Sequence, residues 1–206
     1  AGWDDPTGTL HRCERLDGGW RRIDSWPVRL GHRGTAVGEG LHGSGLAGPR
    51  KKEGDQRAPA GVFFLQFAFG QGEIKGSAFP YRLVDESSRW VDDPRSVHYN
   101  QWVQIGDPAI RQDWRSAERL KRSDGIYDYA IVVGHNRNPS IKKGRGSAIF
   151  MHGWFGPGRS TLGCTAMELP RVRLLIEWLD PARWPVLVQG PAEFLAGLEL
   201  PPGLMP

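Results

Sequence analysis

A chain of 206 residues, 39% apolar and 24% charged, is long enough for one domain with a substantial core, and without a run of 18 apolar residues it offers no membrane-spanning helix. A net charge of +4 and a pI near 9.3 suit a polyanionic partner, either nucleic acid or an anionic envelope surface. The basic runs Arg50-Lys51-Lys52 and Lys142-Lys143-Gly144-Arg145 come with no nucleic-acid-binding motif, so they read as solvated surface and nucleic acid is not expected.

The chain opens at Ala1 with neither Met nor a signal-peptide pattern, which leaves open whether an export signal preceded it. Thr9 to Leu16 alternates as an edge strand would, with Cys13 in a structural role. Residues 19–30 read as strands broken at Pro27, and 31–61 as glycine-rich turns and loops over a sheet. Gly38-Glu39-Gly40-Leu41-His42-Gly43 lacks the flanking strand and helix of a dinucleotide fingerprint. Val62–Phe69, apolar except at Gln66, is the expected central strand, covered on both faces.

Residues 71–128 are long, polar and aromatic, and read as an excursion forming one wall of a cleft. Tyr99 and Trp102 would give it area and Asn100 a polar contact. Asp92-Asp93 reads as a cap on the Pro94 turn rather than an acid/base pair, because adjacent residues on an extended chain face opposite ways. Ser116–Arg122 reads as a short helix with Glu118 and Arg122 as an i,i+4 pair. Strands are expected at 127–134, 147–151 and 185–189. The spacing of Val172, Leu175, Ile176 and Leu179 predicts an amphipathic helix with Pro170 in its first turn. Its positive N-terminal end would lie near Cys164 and lower the thiol pKa modestly. One domain is expected over 1–190, followed by a Pro-rich extended tail over 191–206. Many short strands, Gly/Pro turns and few helices indicate a β-rich α+β fold.

The chemistry concentrates in Gly146–Met167. Ala148–Met151 is an apolar run of strand length that delivers His152, and Phe155-Gly156-Pro157-Gly158-Arg159 lets the chain double back toward Cys164. A thiol beside an imidazole is the equipment of nucleophilic catalysis, and backbone N–H groups around Gly163 and Cys164 could face an oxyanion. A lone Cys is as readily a small buried hydrophobe, and spacing alone leaves both readings open. No Cys-x-x-Cys or His-x-x-x-His spacing is present and no metal is expected.

His152-Gly153, a short loop and Ser160-Thr161-Leu162-Gly163-Cys164 resemble the active-site signature of the L,D-transpeptidase catalytic domain, the YkuD/ErfK family of peptidoglycan enzymes. Lys52–Phe63, Trp90–Ser96 with Tyr99-Asn100, and Gly134-His135-Asn136 resemble further segments in the family's order, across about residues 28–190. The resemblance implies a mixed β-sandwich or open barrel with one or two helices. It implies Cys164 as nucleophile, His152 as general base and the Gly163 backbone in the oxyanion hole, while the family's substrate contacts beside the Cys do not carry over; Tyr99, Asn100, Trp102, Arg159, Thr161 and Leu162 are the candidate substrate contacts of this chain. It further implies stem peptides of the wall as substrate, no cofactor, and a periplasmic or wall-associated location. Cross-linking is the expected outcome, with trimming by carboxypeptidase or endopeptidase action, or wall binding without turnover, as alternatives. Two positions depart from the family pattern: Leu162 stands where a second His is usual, and Ala166 where Arg or Asn is common. The pocket wall is therefore expected to be more apolar and substrate preference to differ.

Overall fold

The computed structural model describes residues 2–17, 19–43, 45–137 and 140–199. The first two strands, β1 (Thr7–Leu16) and β2 (Gly19–Arg29), form an antiparallel hairpin at one edge of a nine-stranded mixed sheet. Pro27 does not break β2. The next strand reaches β2 only at Arg29, so Pro27 has a single strand neighbour and its missing donor is tolerated. Cys13 sits half-buried on β1, and both cysteines are free.

β3 (Thr35–Val37) emerges from the glycine-rich segment and runs parallel to β4 (Ala58–Gly70), the long strand expected near the centre. The glycines between them allow close approach: a Cβ on Gly40 would stand 2.3 Å from the Val62 carbonyl oxygen. Along its main path the sheet continues from β2 through β11 (Thr165–Met167), β10 (Phe150–Gly153) and β9 (Ala130–Val133) to β4 and the edge strand β12 (Val186–Gln189). The 71–128 excursion contributes β5 (Tyr81–Leu83) to β4, then folds β6 (Ser88–Val91), β7 (Trp102–Gln104) and β8 (Ala117–Arg119) into a second, three-stranded antiparallel sheet. The two sheets do not close into a barrel.

β8 occupies the place of the expected helix at 116–122. Pairing with β6 overrides local propensity, and Glu118 and Arg122 still meet, at 3.1 Å. Asp93 caps its turn as expected, accepting from the Arg95 and Arg115 backbone N–H groups, and the Arg95 guanidinium holds its carboxyl well below the usual range.

α1 (Leu169–Trp178) buries Val172, Leu175 and Ile176 at the predicted spacing. They pack with Trp26, Val28, Phe63, Ile131, Met151 and Met167 on one face of the main sheet. Each such side chain contributes about 1.5–3 kcal/mol of hydrophobic stabilisation. The opposite face carries Phe69, Trp90, Leu120, Tyr127, Val132, Phe150 and Cys164, so the excursion packs over the face that holds the nucleophile candidate. The proposed tail begins with a short helix, α2 (Ala192–Ala196), rather than extended chain, and its residues 200–206 lie outside the described residues. No helix among the described residues is long and apolar enough to cross a membrane.

Lys51 departs from the solvated-surface reading. It is 4% exposed, with its ammonium donating to Asp55 and to the Lys52 carbonyl. A buried ammonium requires such partners to offset its desolvation.

Candidate active site

Strands β10 and β11 are adjacent and parallel, with His152 opposite Ala166. Residues in register on neighbouring strands point to the same face, and Cys164 stands on the bend one residue before β11. The packing sets its face. Phe150 and Cys164 share one cluster, while Met151 and Met167 lie in the other. His152, on β10, and Cys164, at the entry to β11, are 7% and 9% exposed and lie on one side of the sheet.

The imidazole is fixed by two contacts. Nδ1 lies 2.6 Å from the Gly153 carbonyl oxygen. A carbonyl only accepts, so Nδ1 carries the proton and Nε2 keeps its lone pair. Tyr127 packs edge-on against the ring with centroids 5.2 Å apart, and its own hydroxyl lies 3.4 Å from Glu118 Oε1. Burial lowers the His152 pKa to about 4, the Gly153 hydrogen bond opposing it.

The thiol does not hydrogen-bond the imidazole in this state. Sγ–H donates to the Ala148 carbonyl at 3.4 Å, and the Phe150 N–H donates to Sγ at 3.4 Å. Burial pushes the thiol up to about 12; the Phe150 N–H and Lys51 lower it and Glu118 raises it. α1 packs its apolar side on the opposite face of the sheet, and burial dominates. At neutral pH both groups are uncharged at rest.

The turn before Cys164 is held to the β2 end of the sheet. His32 N–H donates to the Thr161 carbonyl, Thr161 N–H to the Leu30 carbonyl, and His32 Nδ1 lies 3.0 Å from Ser160 Oγ. Thr161 Oγ1 donates to the Cys164 carbonyl at 2.7 Å and accepts from Gly163 N–H at 3.1 Å. Thr161 is thus the cap of this turn, and the Gly163 N–H already has a hydroxyl acceptor. Gly163 takes φ +145, open to glycine, and a Cβ there would lie 3.2 Å from the Arg57 carbonyl oxygen.

Of the expected substrate contacts, Leu162 is 79% exposed two residues before Cys164, and Arg159 is exposed with its guanidinium over the Phe155 ring. Tyr99 and Asn100 require correction. Each is 1% exposed, with its polar atoms bonded inside the protein, so neither offers a substrate a surface. Trp102 is half-buried and lines a shallow groove with Arg82, Leu83 and Gln104, a wall that includes neither His152 nor Cys164. Ala166, 1% exposed, is likewise interior. Sequence reasoning missed Tyr127 and Ala148, the ring against His152 and the acceptor of the thiol. Neither carries a local signal, since both roles arise from contacts distant in the chain.

Residues 11–188 match the family model described as YkuD, L,D-transpeptidase catalytic domain. A solved structure, of Bdellovibrio bacteriovorus Bd1075, aligns at a TM-score of 0.38 and 15% identity over 84% of this chain. The chain spans 40% of the length of that protein, and the likeness is too distant to carry function. No curated protein matches the chain.

Proposed function

The chain belongs to the L,D-transpeptidase catalytic-domain family, one of peptidoglycan-modifying cysteine enzymes, and on that premise we propose that it acts on wall stem peptides through a thioester at Cys164. The observation that carries the reading is the placing of Cys164, at the entry to β11, on the face of the sheet that His152 shares on neighbouring β10, with the His152 proton held on Nδ1 by Gly153.

In this mechanism Cys164 Sγ attacks a stem-peptide carbonyl carbon while His152 Nε2 takes the thiol proton. Because neither group is charged at rest, proton transfer accompanies the attack instead of preceding it. The carbonyl π pair moves to oxygen, and the N–H groups of the Gly163–Cys164 turn are its stabilising donors, with Gly163 exchanging its Thr161 acceptor for the oxyanion. Collapse breaks the C–N bond, His152 returns the proton to the leaving amine, and an acyl thioester remains. An acceptor amine then gives a cross-link, or water a trimmed stem. The site of action is the wall, outside the cytoplasmic membrane.

Muropeptide analysis after incubating the purified protein with sacculi tests this directly. New cross-links absent with Cys164→Ala are the expected result, and shortened stems would assign the hydrolytic outcome of the same thioester. Unaltered muropeptides, together with no mass increase on Cys164 after exposure to a carbapenem, would leave only a wall-binding module and overturn the proposal.

A further inference from the structure

Gly146, Ser147 and Ala148, which lead toward β10 and its His152, are each held by side chains from elsewhere in the chain. Gly146 N–H donates to the Tyr99 hydroxyl at 3.1 Å, and the Gly146 carbonyl accepts from Asn136 Nδ2 at 3.0 Å. Ser147 Oγ donates to Glu53 at 2.8 Å, the carboxylate that also accepts the Tyr99 hydroxyl hydrogen bond. Ala148 N–H donates to Asn100 Oδ1 at 3.2 Å.

Ala148 has φ +52, a left-handed conformation that alanine keeps only where its surroundings enforce it. The Ala148 carbonyl is the acceptor of the Cys164 thiol. Asn100 itself is over-determined. Its Oδ1 also accepts from Trp90 Nε1 at 2.9 Å, and its Nδ2 donates to the His135 and Asn136 carbonyls at 3.2 and 2.9 Å. Both acceptor sites and both donors of the carboxamide are therefore used, which fixes its orientation.

We propose that Asn100 is a positioning residue for the Cys164 nucleophile: its carboxamide holds Ala148 in the left-handed conformation that turns the Ala148 carbonyl onto the thiol. The sulfur is thereby set between the Ala148 carbonyl and the Phe150 N–H, one strand from His152 and on the same face. The S–H···O bond also keeps the resting thiol protonated until a substrate draws it toward the imidazole. The role rests on the reading of Cys164 as the reactive group, but not on which wall bond it attacks.

The test uses the full chain carrying Cys13→Ser, so that iodoacetamide labelling followed by intact mass reports Cys164 alone. Asn100→Ser removes Oδ1, and Ala148 relaxes out of the left-handed region. Loss of the carbonyl acceptor favours the thiolate, so labelling at pH 8.5 should rise about three- to tenfold. Acyl transfer to the wall, or acylation by a carbapenem, should fall on the order of tenfold or more as the sulfur loses its fixed place. The charged groups that act on the sulfur, Glu118 and Lys51, and the neighbouring Tyr127 and His152 are untouched by the change.

Labelling is measured well below each melting temperature, where a residue that served stability alone would leave both rates unchanged, and that result would overturn the proposal. Should Asn100→Ser not fold, Ala148→Val decides: a β-branched residue disfavours positive φ, so the substitution draws the same carbonyl off the thiol from the other side. Faster labelling with slower acylation supports the role, and a wild-type profile refutes it. The labelling readout stands even if the wall proves not to be the substrate, so failure of this inference is separable from failure of the proposed function.

Discussion

His152 is held in the Nδ1–H tautomer by one backbone contact, the Gly153 carbonyl, and on the proposed mechanism this has a consequence in pH. An exposed imidazole titrates near 6.5, but burial takes this one to about 4. A base must be unprotonated to act, so the acidic limb of kcat/KM should fall near pH 4 to 5 rather than near 6.5. A pH–rate profile checks this, and a half-loss close to 6.5 would show that the imidazole is solvated in the working state. His152→Ala should lower turnover by about a hundred- to ten-thousandfold, with partial recovery at high pH.

Leu162 decides a second question at this scale. A desolvated charge contact is worth about 1.5–3 kcal/mol, but at 79% exposure a substrate carboxylate paired here stays in water, where about 0.2–1 kcal/mol is typical. Leu162→Arg should therefore alter the kcat/KM ratio between tetrapeptide and pentapeptide donors by no more than about fivefold. A change above tenfold would show that substrate dries this position on binding.

At the scale of elements, the turn from Thr161 into β11 is the part of the site with the least freedom. Gly163→Ala forces a side chain into φ +145 and against the Arg57 carbonyl, which should cost about 1–3 kcal/mol. In a protein of this size that lowers the melting temperature by about 3–10 °C. Thermal melting measures it, and an unchanged transition would mean that the turn relaxes freely.

The legibility of the elements follows the same physics. β4 and α1 were readable because burial on both faces, or on one helical stripe, leaves a pattern in the chain itself. β8 was not, because three residues, Ala117, Glu118 and Arg119, became a strand only by pairing with β6. His152, Cys164 and the turn that joins them were readable as motif and loop. The inward turn of Tyr99 and Asn100 was not, because their partners, Glu53, Trp90, His135 and Ala148, are up to 48 residues away in sequence. Polar residues in an aromatic segment look the same in sequence whether they face a cleft or a buried backbone.

For the whole molecule, two buried histidines set how folding responds to acid. His135 is 1% exposed, with Nε2 2.9 Å from the Arg145 carbonyl and Nδ1 accepting the Glu39 N–H at 3.2 Å. A proton on Nδ1 would destroy the second bond, and burial lowers this pKa, like that of His152, to about 4. In the unfolded chain both titrate near 6.5. Between those values the unfolded state binds more protons, so stability rises with pH through the window and is lost as pH falls from 6.5 toward 4. Each group contributes about 3 kcal/mol across the full window. The paired carboxylates Asp93, Asp113 and Asp124 have lowered values and lose their contribution only further into acid. Glu118, raised by burial, acts in the opposite sense over part of the range. The melting temperature should therefore be flat above pH 7 and drop steeply between 6.5 and 4.5. His135→Asn should lower it at pH 7, through the lost packing against Phe63, yet make its pH dependence shallower by about half. Calorimetry of both proteins across pH 4.5 to 8 measures the two slopes. Equal slopes would place the linked protons elsewhere and remove His135 from the account.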